Sequence, residues 1–95
     1  MKLDILVIAA HPDDAELACS GTIASQIAKG YKVGILDLTK GEMGTRGTPE
    51  IRMQESEESS RILGISAREN IGFKDIFFKD DDQHRLEIIK IIRKY

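Results

Sequence analysis

Asp4-Ile5-Leu6-Val7-Ile8-Ala9-Ala10-His11-Pro12-Asp13-Asp14-Ala15-Glu16 decides the fold. Apart from Asp4, residues 3 to 10 are an unbroken apolar run, the signature of a strand covered on both faces in a parallel sheet, where it is normally central. Pro12 favours an extended backbone at His11. Asp13 or Asp14 can then cap a helix with apolar positions Leu17, Ile23, Ala24, Ile27 and Ala28, ended by Gly30. A histidine, two aspartates and a further acid thus gather at the carboxyl end of a strand, where open α/β sheets place their chemistry.

Outward from that turn, residues 32 to 38 (Lys-Val-Gly-Ile-Leu-Asp-Leu) predict a second strand. Strand, helix and strand within about 35 residues make a βαβ unit, so the sheet is at least partly parallel. Residues 39 to 48 carry Gly41, Gly44 and Gly47 and predict a loop at the same sheet end as His11. Their spacing after the second strand is wrong for a dinucleotide fingerprint. Pro49 suits the first turn of a second helix running to about Leu63 and closed by Gly64. Glu69 to Phe73 reads as a short third strand. Asp80, Asp81 and Asp82 supply caps for a third helix, with Leu86, Ile88, Ile89, Ile91, Ile92 and Tyr95 as its buried side.

The order βαβαβα predicts an α/β, Rossmann-like three-layer fold with a mostly parallel sheet. The 95 residues read as one partial domain, the N-terminal part of a larger one. In such a sheet a fourth strand lies on the far side of the first, and these residues do not reach it. The first strand is then an apolar edge prone to pairing with another chain, so a homo-oligomer is expected.

Composition narrows the partners. The 14 basic and 16 acidic residues are interspersed and the net charge is −2, which leaves no electrostatic footprint for nucleic acid or an anionic membrane. No apolar run approaches the roughly 20 residues of a membrane span. Cys19 is alone, excluding an intramolecular disulfide and fitting a reducing compartment; a cytoplasmic location is expected. Its place inside the first helix suggests a small buried side chain.

A neutral imidazole and a carboxylate are good zinc ligands, and a catalytic zinc typically keeps three protein ligands and an open position for water. His11 and Asp14 can supply two, Asp13 can take the proton of the activated water, and Glu16 can orient a ligating side chain. Fe²⁺ also suits a histidine and carboxylate set. The plainer reading makes the two aspartates helix caps and the chain an inert α/β module that binds a small polar ligand or a partner. His84, beside three aspartates, reads as a surface residue.

Ala10-His11-Pro12-Asp13-Asp14-Ala15-Glu16, with Gly21-Thr22-Ile23 and Leu38-Thr39-Lys40-Gly41-Glu42, resembles the N-terminal portion of the PIG-L (LmbE-like) zinc deacetylases. Gly44-Thr45-Arg46-Gly47-Thr48, followed by Glu50, Arg52, Glu55 and Ser56, is most similar to the bacterial N-acetylglucosaminyl-malate deacetylases of bacillithiol biosynthesis. The resemblance implies zinc-dependent removal of an acetyl group from the nitrogen of an N-acetylglucosamine conjugate. It makes His11 and Asp14 zinc ligands and Asp13 the general base. Arg52 and Arg46 become candidates for gripping the substrate, Arg52 through paired hydrogen bonds to the malate carboxylate or through the sugar hydroxyls. The plainer reading sets Arg52 with Glu55 and Ser59 on an exposed polar stripe with local ion pairing. Family members complete the site with two further histidines from a motif after a fourth strand. This chain holds only His11 and His84, so by itself it is expected to be a poor catalyst.

Overall fold

The computed structural model describes residues 1–41, 48–74 and 80–95. The elements alternate as β1 (Ile5–Ala9), α1 (Asp14–Ala28), β2 (Val33–Thr39), α2 (Pro49–Leu63), β3 (Ala67–Phe73) and α3 (Asp82–Lys94). The three strands form one parallel sheet in the order β1-β2-β3. The predicted fold class is therefore the observed one. Ile5 pairs with Val33 and Ala9 with Asp37 across β1 and β2, while Gly34 to Asp37 pair with Ala67 to Asn70 across β2 and β3.

The central strand is β2, whose Val33, Ile35, Leu36 and Thr39 are almost wholly enclosed. Each buried aliphatic side chain there contributes about 1.5–3 kcal/mol. The expectation of a doubly covered first strand is corrected. β1 is the sheet edge among the described residues, mostly half-buried, with Ile8 exposed.

Alternation along the strands sorts the two faces. Val33 and Ile35 of β2 and Ile5, Val7 and Ala9 of β1 pack against Ala15, Cys19, Ile23 and Ile27 of α1 and Ile65. The α1 residues recur every fourth position, so they form one stripe. The predicted stripe begins at Leu17, which is instead 84% exposed. Leu17 lies about 200° around the helix from Ala15 and so falls on the opposite face. The helix also kinks at Cys19, whose backbone is non-helical (φ −148°, ψ 27°). Cys19 itself is half-buried and donates to the Ala15 carbonyl at 3.3 Å. Gly30 ends the turn after α1 at φ +93°, a conformation that suits only glycine without strain.

On the other face, Leu3, Leu6 and Ile8 line a groove with Ile92 of α3 and Tyr95 just after it. The expected burial of α3 is only partly found. Ile88, Ile91 and Tyr95 are half-buried, but Leu86, Ile89 and Ile92 are exposed. A wide apolar helix face needs two neighbours, and the described sheet covers one side of it. At its start Asp81 accepts from the His84 amide at 2.9 Å, as a cap should. At its end Lys94 and the Tyr95 hydroxyl donate to Glu69. The third strand begins at Ala67, two residues before its predicted start, because Ala67 and Arg68 pair with β2 despite their weak strand signal.

Candidate functional site

His11, Pro12 and Asp13 form the turn from β1 into α1, at the carboxyl end of the sheet. Pro12 is buried beneath it. The His11 amide donates to Asp14 Oδ2 at 3.0 Å, and His11 Nδ1 stands 3.3 Å from the same oxygen. The three-residue offset thus folds the imidazole and the Asp14 carboxylate against each other, both partly open to solvent. Asp13 occupies the N-cap position but makes no side-chain cap bond; its backbone is left-handed (φ +89°). It is the only non-glycine with positive φ among the described residues. Such a conformation costs about 1 kcal/mol or more and is concentrated at functional sites.

The two strand ends are tied together. Thr39 at the end of β2 donates through both its amide (3.0 Å) and its hydroxyl (2.9 Å) to the Ala10 carbonyl, and the hydroxyl accepts from the Gly41 amide at 3.2 Å. From α2, whose first turn is fixed by Thr48 accepting from Ile51, Arg52 reaches back to both loops. It donates to the Gly41 carbonyl (Nη1, 3.1 Å) and to the Pro12 carbonyl (Nη2, 3.0 Å), and lies 3.9 Å from the Asp13 carboxylate. Arg46 and Glu42 lie outside the described residues.

Beneath the turn is an ion network that the sequence reading missed. Arg68 of β3 bonds Asp37 through Nε (2.8 Å) and Nη2 (3.2 Å) and Glu16 through Nη1 (2.8 Å) and Nη2 (3.3 Å). The Ser60 hydroxyl accepts the remaining Nη1 hydrogen at 3.3 Å. All five guanidinium hydrogens then have an acceptor. Ser59 adds a bond to Glu16 Oε2 at 2.7 Å. Glu16 therefore joins α1 to α2 and β3, and its carboxylate is engaged below the His11–Asp14 pair. Burial pushes Glu16 up, but the bonds from Arg68 and Ser59 outweigh it and hold the carboxyl below its ordinary value. For Asp37, burial prevails over Arg68 and the pKa is raised. The signal available in the sequence was Asp37 itself, a charge inside an apolar strand that requires a buried partner.

A cavity of about 270 Å³ opens beside this network between α2 and β3, with the buried Ser56 hydroxyl on its wall. His84, by contrast, is remote in role: it caps α3 with Asp81 and packs edge-on against Phe73.

Imidazole and carboxylate donors converging at one strand end suit a divalent metal, and His11 and Asp14 fit two of the three protein ligands a catalytic site needs. Among the described residues no group of three His, Cys, Asp or Glu side chains is arranged to hold a metal ion. None of the described helices is long and apolar enough to cross a membrane.

Fold and turn together define a Rossmann-like α/β domain with a polar cluster at the carboxyl end of its first strand. The chain belongs to the PIG-L family, described as GlcNAc-PI de-N-acetylase, whose model matches residues 6–95. The conserved protein TT1542 from Thermus thermophilus superposes with a TM-score of 0.91 at 52% identity, covering 98% of this chain and 42% of that one. The uncharacterized deacetylase YaiS of Escherichia coli is 38% identical over 71 residues, 75% of this chain and 38% of YaiS. A probable N-acetyl-α-D-glucosaminyl L-malate deacetylase 2 of Bacillus cereus is 33% identical over 94 residues, 86% of this chain and 43% of that protein. The chain thus spans less than half the length of these relatives.

Proposed function

We propose that these 95 residues supply the metal-binding and proton-transfer half of a zinc-dependent N-deacetylase acting on a small N-acetylglucosamine conjugate, N-acetylglucosaminyl malate being the preferred candidate. The observation that carries the reading is the His11–Asp14 contact beside a left-handed, uncapped Asp13. A caps-only reading leaves that strain without a purpose, because the Asp13 side chain makes no capping bond. Membership of the PIG-L family supports the reaction, and the similarity to the probable malate deacetylase of Bacillus cereus supports the substrate.

In this mechanism His11 and Asp14 hold the metal, zinc or alternatively Fe²⁺, with a third ligand from the part of the relatives' length that this chain does not span. Bound there, the metal supplies Lewis acidity, which makes water more acidic and polarises the acetyl carbonyl. Asp13 takes the proton from the attacking water and delivers it to the amine nitrogen as the C–N bond breaks, giving acetate and the free amine. Glu16 acts at one remove, holding α1 and therefore Asp14 in place through Arg68. Substrate recognition is assigned to Arg46 and Arg52, as the resemblance implies. The enzyme works as a cytoplasmic homo-oligomer.

Acetate release from N-acetylglucosaminyl malate and from free N-acetylglucosamine, by the zinc-loaded protein carrying this segment, tests the substrate. Faster turnover of the malate conjugate is expected; no release from either would reject the reading.

A further inference from the structure

We infer that Arg52 is a positioning residue: its guanidinium clips the β1–α1 turn to the loop after β2 and so fixes where the Asp13 carboxylate stands. The inference rests on Asp13 being the general base proposed above, and it gives Arg52 a task distinct from gripping substrate.

The bonds around the turn form a closed circuit. The Ala10 carbonyl accepts from Thr39, the Thr39 hydroxyl accepts from Gly41, the Gly41 carbonyl accepts from Arg52, and Arg52 donates onward to the Pro12 carbonyl. His11 lies inside that circuit and Asp13 just outside it, 3.9 Å from the guanidinium. The Arg52 side chain is only 17% exposed. Two carbonyls from different loops are bridged by the two arms of one planar fork, a geometry that the single ammonium of lysine does not reproduce.

Gly41 shows that the backbone is shaped around this clip. Its φ is +68°, and a Cβ there would fall on the Arg52 guanidinium, chiefly on Nη1 and Cζ. The guanidinium is the far end of a flexible side chain, so Gly41→Ala displaces it from the clip, and strains the loop at this positive φ, while the Arg52 charge is kept. Positioning and substrate binding are separated by the split between kcat and KM and by amide exchange in residues 10–14.

The experiment compares wild type with Arg52→Lys, Arg52→Ala and Gly41→Ala, using the zinc-loaded protein. The substrates are N-acetylglucosaminyl malate and a neutral N-acetylglucosaminide. All three variants are expected to lose about tenfold or more in kcat on both substrates, since displacement of a catalytic group by about 1 Å costs this much or more. KM should change by less than about threefold. Amide exchange, read by mass spectrometry, should rise in residues 10–14 and 39–41 of each variant and stay unchanged in α3. A rise in KM with kcat unchanged in the Arg52 variants, on either substrate, would overturn the inference and make Arg52 a substrate grip. Unchanged exchange in residues 10–14 would overturn it independently of activity. A wild type that releases no acetate would reject the deacetylase reading, while the exchange measurement still decides whether Arg52 clips the turn.

Discussion

Arg68 and Glu16, 52 residues apart, meet through two hydrogen bonds of 2.8 and 3.3 Å, and the same guanidinium grips Asp37 from its other side. One cation thereby joins β3, β2 and the first turn of α1, which follows His11 and Asp13. Arg68 and Asp37 are 11% and 3% exposed, so removing the cation strands two carboxylates away from water. Arg68→Ala is expected to destabilise the fold by about 3 kcal/mol or more, the usual cost of breaking a buried pair. Urea denaturation of wild type and variant measures it.

The two carboxylates of that network respond to pH in opposite directions. Glu16 is held below its ordinary value of 4.5, so its contribution is complete above that pH and is lost as pH falls through the lower folded value. Asp37 is raised above its ordinary 3.8, so its contribution is complete below that pH and is lost as pH rises through the higher folded value. Glu16→Gln should therefore flatten the loss of stability on acidification, and Asp37→Asn should steepen it. Denaturation midpoints between about pH 3 and 7 report both slopes.

Asp13 carries backbone strain without a capping bond to offset it. Asp13→Gly removes the left-handed penalty at the expense of a more flexible unfolded chain, so stability should be unchanged or higher by up to about 1 kcal/mol. Asp13→Ala, which keeps a Cβ and loses the polar side chain that tolerates this region, should be the less stable of the two. Both should lose acetate release. Equal denaturation midpoints for the two variants would argue against strain at residue 13.

Among the described residues, the outer edge of β1 and the groove of Leu3, Leu6, Ile8, Ile92 and Tyr95 leave an apolar surface next to strand backbone that no described strand pairs. The 95-residue chain should associate with itself at high concentration, and Ile8→Lys should reduce that association. Sedimentation of the two chains across a concentration series checks it; a wild-type monomer throughout would contradict it.

The reach of the sequence can be judged from these residues. β1, α1 and β2 were legible because apolar runs of strand length flank a helical stretch ended by Gly30. The helix cap at Gly64 was equally plain, since its left-handed φ of +79° is what a terminal glycine supplies. Which face of a helix is buried was harder. In α1 the covered stripe runs through Ala15, Cys19, Ile23 and Ile27 and leaves Leu17 exposed, and α3 turns Leu86 and Ile92 outward, because periodicity reveals an apolar stripe but not what covers it. Within the site, the cluster at His11, Asp13 and Asp14 was legible from contiguity. Arg68 was not, because its partners lie 31 and 52 residues away and only folding brings them together.

The most direct measurement pairs metal content with acetate release for wild type and Asp13→Ala in a protein carrying this segment. Stoichiometric zinc in both, with release from N-acetylglucosaminyl malate falling about a hundredfold or more in Asp13→Ala, is the expected result. Protein that cannot be loaded with metal, or an Asp13→Ala variant that turns over at the wild-type rate, would contradict the assignment.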